Sequence, residues 1–207
     1  MTVIKLGGCN GSGKTSVARG ILDIGDKAWN REKVVLQSGK TGVVYSNVLE
    51  GRRFEVLGKY DTACGGMDTI SDKDDRLTLV KYRAENNREG IVFFEGLITG
   101  KTFGALGALS VEHKAAGIPW LYAFMDTPFE TCVDRVLTRR AAAGNFAEFD
   151  PERTMRSTFK SCVRLAEKLQ NGELPEFPVM MLPHKRGPKT LASLLLEKAF
   201  GINRARR

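Results

Sequence analysis

Gly8-Cys9-Asn10-Gly11-Ser12-Gly13-Lys14-Thr15 fills every fixed position of the pattern G-x-x-x-x-G-K-[ST]. A short β-prone run precedes it and a helical segment follows. The chemistry of that spacing is phosphate binding. Glycines let the backbone curl so that successive N–H groups point at phosphate oxygens. The N-terminus of the following helix adds about half a positive charge at the same point. Lys14 is expected to reach the β- and γ-phosphates and Thr15 to offer its hydroxyl to Mg²⁺. Gly8, Asn10, Gly11, Ser12, Gly13 and Ser16 complete the cradle. These residues predict binding of a nucleoside triphosphate, with ATP and Mg²⁺ as the expected pair.

Phosphoryl chemistry also needs a carboxylate and further cations. Ile91-Val92-Phe93-Phe94 is an unbroken apolar run ending in Glu95-Gly96. A carboxylate at the end of a strand beside a phosphate loop lies where the metal or an attacking hydroxyl sits. Glu95 is therefore a candidate metal ligand or general base. The chain has no N-K-x-D motif of the kind GTPases use to read their base, and no hhhh-D-E strand end of the motor or AAA type. The stretch Phe124-Met125-Asp126-Thr127-Pro128, with the helical segment after it, resembles small-molecule and nucleotide kinases of the phosphate-loop superfamily. The resemblance implies a mobile lid whose arginines neutralise the phosphoryl group in flight. Arg135 and Arg139 would do this, and Arg140 would meet the nucleotide at the hinge. Arg135 and Arg139 are four apart and share one helical face. The small residues Ala141-Ala142-Ala143-Gly144 suit a hinge, and the lid is expected over about residues 136–155. Beyond it, Arg153, Arg156, Lys160 and Arg164 form one helical stripe. The stripe would complete the lid, grip phosphates of the acceptor or face solvent.

Residues 58–70 form a polar loop with two adjacent glycines and an aromatic, placed where kinases of this kind build an acceptor site. Asp68 would bind or deprotonate an acceptor hydroxyl. Tyr60 would stack on a base, Lys59 would lie beside it, and Gly65 and Gly66 would let the backbone approach closely. The combination of G-C-N-G-S-G-K-T, G-G-M-D-T-I and F-F-E-G-L resembles a bacteriophage-encoded family of phosphate-loop kinases. Its members phosphorylate 5-hydroxymethyluracil in DNA, on the way to hypermodified thymines. The resemblance covers roughly residues 1–140. It implies family roles for Lys14, Thr15, Asp68 and Glu95, and double-stranded DNA as the acceptor. The hydroxymethyl group projects from C5 into the major groove, so it must be met there or the base flipped out. Tyr60, Phe54 and Lys59 are candidates for such a pocket. A nucleoside or nucleoside-monophosphate kinase would use the same parts on a free small molecule. A regulatory triphosphate-binding protein would need neither Glu95 nor the lid arginines.

These groups require a sheet to hold them. Apolar runs at residues 2–6, 34–37, 91–94, 120–125 and 177–182 predict five parallel strands. Helical segments at residues 14–23, 71–86, 129–140, 151–170 and 191–200 alternate with them, with Ser71 as an N-cap. That alternation predicts a single α/β domain of the P-loop NTPase type. Residues 43–45 and 53–57 are extra strands of a small acceptor-side insertion over about residues 40–70. By fold analogy, the adenine would lie near residues 184–188.

Composition narrows the rest. The chain has 207 residues, 42% hydrophobic and 27% charged, as expected of one soluble globular domain. Lys and Arg number 32 against 24 Asp and Glu, net +8. Residues 101–207 contribute +6 of that, and Arg204, Arg206 and Arg207 crowd the last four positions. Such an excess favours polyanionic partners. Cys9, Cys64, Cys132 and Cys162 form no C-x-x-C pair, and His113 and His184 stand apart, which argues against zinc. No apolar run approaches the ~20 residues of a membrane span. The N-terminal residues lack a signal peptide's long apolar stretch. The expected location is cytoplasmic, in the host cell for a phage-encoded protein.

Overall fold

A computed structural model of the chain describes residues 2–24, 28–62, 65–87, 89–96 and 103–201. Cys64 and the three arginines of the tail lie outside the described residues.

The sheet has seven strands in the order β2-β3-β4-β5-β1-β6-β7. They are β1 (Thr2–Gly7), β2 (Asn30–Val35), β3 (Thr41–Leu49), β4 (Arg52–Leu57), β5 (Ile91–Glu95), β6 (Trp120–Asp126) and β7 (Val179–Pro183). β4, β5, β1, β6 and β7 run parallel, while β3 is antiparallel to both β2 and β4. The sheet is therefore mixed, and the five parallel strands are not the five expected. Residues 34–37 do not form a core strand. Val34 and Val35 end the edge strand β2, and residues 36–40 turn the hairpin, closed by Leu36 N–H on the Lys40 carbonyl at 2.8 Å. The fifth parallel strand is β4. Its Phe54, Val56 and Leu57 are fully buried, each stabilising by roughly 1.5–3 kcal/mol, whereas Val35 of β2 is left in solvent. β4 also carries the buried Glu55, whose carboxylate is held by Arg53 at 2.7 Å and Arg83 at 3.4 Å. That pairing lets a charged residue occupy an interior strand.

Among the described residues, six α-helices cover the sheet: α1 (Lys14–Leu22), α2 (Lys73–Asn86), α3 (Gly104–Ala115), α4 (Phe129–Ala142), α5 (Pro151–Gln170) and α6 (Pro188–Phe200). Strand alternation sorts the core into two layers. Ile4, Leu6, Leu121 and Ala123 meet Val17 and Ile21 of α1 and Leu191 and Leu195 of α6. Val3, Val92, Phe94 and Tyr122 meet Leu79 of α2, Leu109 of α3 and Leu165 of α5. A third cluster of Cys9, Phe129, Cys132, Val136 and Met155 fastens the phosphate-loop region to α4 and α5. The N-cap of α2 is Asp72, not Ser71. Its carboxylate accepts from the N–H groups of Asp74 and Asp75, while the Ser71 hydroxyl meets Lys40 Nζ at 3.1 Å. A carboxylate wins this contest because it also answers the helix dipole.

Candidate active site

Parallel strands release their loops at one edge, and the register decides which loops meet there. Leu6 of β1 pairs with Glu95 of β5, and Phe94 pairs with Leu57 of β4. The phosphate loop, Glu95 and the loop after β4 therefore emerge side by side. They border a cavity of ≈ 670 Å³ lined by Asn10, Gly11, Ser12, Gly13, Lys14, Thr15, Ser16, Gly65, Asp68, Glu95, Arg135 and Arg139. Most of the expected site is thus in one place.

The phosphate loop has the backbone its sequence requires. Gly11 sits at φ 77° and backs onto the Cys132 carbonyl of α4, where any Cβ would collide with it. Thr127 Oγ1 donates to the Ser12 carbonyl at 2.9 Å. Arg135 Nη1 reaches the Gly11 and Ser12 carbonyls, each at 3.3 Å. These donors hold the carbonyls on the outer side of the turn. Lys14 is buried, with Nζ donating to the Cys9 carbonyl at 3.0 Å across the loop it must serve.

Across the cavity Thr15 Oγ1 donates to Glu95 Oε1 at 3.0 Å. Glu95 is 1% exposed, and burial pushes its carboxyl up to about 7. The Lys14 charge and the Thr15 hydroxyl oppose that rise, and Asp68 adds to it. The loop after β4 is pressed against this pair. Gly66 N–H donates to the Lys59 carbonyl at 2.8 Å in an antiparallel bridge. Gly66 itself lies at φ 81°, and a Cβ there would stand 2.7 Å from Glu95 Cδ. Only glycine lets the loop close on the carboxylate. Asp68 follows in the 3₁₀ turn Met67–Thr69, which presents it to the cavity.

Three expectations are corrected here, and Arg156, whose stripe the sequence leaves open between lid, acceptor and solvent, is given its partners. Tyr60 does not offer a stacking face, because it is 5% exposed and donates its hydroxyl to the Leu57 carbonyl at 3.2 Å. Its ring packs on Tyr45, and burial raises its phenol well above the ordinary value. Phe54 is fully buried edge-on to Trp29 and lines no pocket. Arg140 turns away from the cavity to Asn145 Oδ1 at 3.1 Å and the Ala147 carbonyl at 2.9 Å. Arg156 of the helical stripe is engaged by Glu152 at 2.7 Å and covers the Phe129 ring. Of the other expected residues, Lys59 and Gly66 frame the loop after β4 without lining the cavity, and Lys59 faces Asp61. Gly8 lines a second cavity behind the loop.

Arg19 was missed by the sequence reading. It lines the cavity and donates Nε to the Tyr60 carbonyl at 3.2 Å and Nη2 to the Thr62 carbonyl, tying α1 to the loop after β4. Its signal was its place four residues after Thr15, on the same helical face. His184, Arg186 and Pro188, near which the adenine was expected, also line the cavity.

A cavity with a phosphate-loop motif, a hydroxyl–carboxylate pair and an acidic side chain from the loop after β4 suits phosphoryl transfer. Comparison with known proteins agrees. The model of a family described as 5-hmdU DNA kinase matches residues 2–182. A 5-hmdU DNA kinase of Pseudomonas phage PaMx11 is 29% identical over 174 residues, 84% of this chain and 87% of that protein. One from Delftia phage PhiW-14 is 29% identical over 152 residues, covering 69% of this chain and 54% of that longer relative. Among solved structures, APE1195 aligns over 97% of this chain and 95% of its own at 20% identity and TM-score 0.49. Deoxyadenosine kinase from M. mycoides with bound dATP aligns over 95% and 98% at 11% identity and TM-score 0.41, too distant to bear on function. The sequence match over nearly the whole chain, joined to the geometry of the cavity, makes this chain a kinase that belongs to the 5-hmdU DNA kinase family.

Proposed function

We propose that the protein transfers the γ-phosphoryl group of ATP to the hydroxymethyl oxygen of 5-hydroxymethyluracil in double-stranded DNA. The observation that carries this reading is the meeting of Glu95, Thr15 and Asp68 beside the phosphate loop, with the acceptor loop closed over them. Thr15 Oγ1 and Glu95 Oε1, 3.0 Å apart, are hard oxygen donors of the kind that holds Mg²⁺ together with substrate phosphates. When bound, Mg²⁺ would neutralise charge on the β- and γ-phosphate oxygens. The chain's own residues do the rest. Loop N–H groups and Lys14 orient the triphosphate. Asp68 aligns the acceptor hydroxyl and takes its proton as the oxygen attacks the γ-phosphorus. The bond from that phosphorus to the β–γ bridging oxygen breaks, and ADP leaves. Arg135 and Arg139, on the α4 side of the cavity, face the charge that develops.

The test is transfer of labelled γ-phosphate to free nucleosides, nucleoside monophosphates, plain duplex DNA and duplex DNA containing 5-hydroxymethyluracil. Label is expected in the modified duplex alone. Label in a free nucleoside or nucleotide with the duplex untouched would overturn the DNA acceptor. Asp68→Asn should lower kcat by about 100-fold or more with little change in the KM for ATP. A variant with unchanged kcat would remove Asp68 from the acceptor site.

A further inference from the structure

The loop between α4 and α5 is built around one outward-facing aromatic. α4 ends in a Schellman turn: Gly144 N–H donates to the Ala141 carbonyl at 2.9 Å and Asn145 N–H to the Arg140 carbonyl at 2.9 Å. Gly144 takes the left-handed φ of 66° that the turn requires. The Arg140 guanidinium then binds the residues on either side of position 146, namely Asn145 Oδ1 and the Ala147 carbonyl. Ala147 N–H returns to Asn145 Oδ1 at 3.3 Å. Beneath the knot, Arg140 lies 4.8 Å over the ring of Phe149, which packs on the cluster around Phe129 and Met155. Phe149 is thus drawn in while Phe146 is held out, 82% exposed. A slack loop of this length could fold such a ring down, but here the residues flanking it are both fixed.

Two cations bracket the ring in the chain. Arg139, seven residues before it, lies in the last turn of α4 and lines the cavity, and Arg153, seven residues after it, lies exposed on the first turn of α5. Neither guanidinium has a hydrogen-bond or ion-pair partner among the described residues. An exposed aromatic on a segment bounded in the chain by unpaired cations suits a nucleic-acid strand: bases stack on the ring and phosphates meet the charges. The donor nucleotide's own base does not need this ring, since Phe146 lies outside the lining of the ≈ 670 Å³ cavity, which His184, Arg186 and Pro188 do line.

We propose that Phe146 stacks on a base of the DNA acceptor beside the target nucleotide, with Arg153 on the backbone, so that the α4–α5 loop grips the strand as the kinase acts. The inference rests on the DNA-acceptor reading above. A ring of this kind would fill the stack next to an extruded base, as apolar wedges do in other proteins that distort DNA.

The experiment compares wild type, Phe146→Ala, Phe146→Trp and Arg153→Ala on duplex DNA containing 5-hydroxymethyluracil. Phe146→Ala is expected to raise the KM for the duplex by about tenfold or more, with the KM for ATP and the melting temperature unchanged. Phe146→Trp should retain activity, and its emission, taken as the difference from wild type, should be quenched by duplex DNA in the absence of nucleotide. Arg153→Ala should flatten the log–log salt dependence of DNA binding by about one unit. If wild type phosphorylates the duplex and Phe146→Ala matches it in KM, the stacking role is overturned and the DNA-acceptor reading stands. If Phe146→Trp emission answers to ATP and not to DNA, the ring serves the donor base and the proposal fails. If wild type labels only free nucleosides, both readings fall together.

Discussion

Glu95 is the residue whose environment has the sharpest consequence. Burial holds its carboxyl at about 7, above the usual carboxylate range. The folded ligand-free protein therefore keeps a proton that the unfolded chain has released between about pH 4.5 and 7. Stability falls as pH rises through that window, and the loss is complete above the folded value. Glu95→Gln carries no such proton. It should melt higher than wild type at pH 8, by about 3 kcal/mol in stability, and the gap should close by pH 4.5. Parallel melting curves of the two proteins across pH would contradict the buried charge. The same variant should lose activity, since Glu95 faces Thr15 at the proposed metal position. Lys14→Ala should abolish transfer and leave the fold intact, because Nζ satisfies only a loop carbonyl in the resting protein. A folded Lys14→Ala with normal turnover would sink the scheme.

At the scale of elements, the proposed acceptor side of the site depends on close approach. The loop after β4 closes on β5 only because Gly66 has no side chain and adopts φ 81° with ψ −161°, a conformation that is nearly glycine-only. Gly66→Ala should cost about 2 kcal/mol or more and displace the loop from Glu95. The check is a lowered melting temperature together with lost phosphoryl transfer. Retained activity would show that the loop can stand off. The phosphate loop was legible in the chain because its demands are local: backbone curvature, a helix start and one lysine. Tyr60 and Phe54 were not, because their burial against Tyr45 and Trp29 is decided by contacts between segments that no local pattern records. The edge strand was misplaced for a related reason. The short apolar residues 34–37 read as core, but β4 has more to bury and a buried Glu55 already paired. Arg140 shows the same limit. Its place in a basic run suggested a phosphate, and the fold used it to tie a loop.

For the molecule as a whole, charge is the feature not yet used by the cavity. The net charge of +8 is weighted toward the second half of the chain. If DNA is the acceptor, that excess sets the salt dependence of its binding. Replacing Arg204, Arg206 and Arg207 together with serine should weaken duplex binding and reduce its salt slope, by at most about three units. Turnover at saturating DNA should not change. An unaltered salt slope, measured by titration at several ionic strengths, would mean that the tail takes no part. No helix among the described residues is long and apolar enough to cross a membrane.

What the sequence determined by itself was the chemistry carried by short-range pattern. It included a phosphate cradle at residues 8–15, a carboxylate at the end of a buried strand, an α/β alternation and the likeness to a kinase family. Each follows from the bonds or periodicity of neighbouring residues. Tertiary structure alone decided which loops share an edge, and it did so through strand order and register. Pairing Leu6 with Glu95 and Phe94 with Leu57 brought Thr15, Glu95 and Asp68 to one cavity. It also chose which arginines face that cavity and which are consumed in holding the fold. Burial and partner choice depend on residues far apart in the chain, and no local pattern records them.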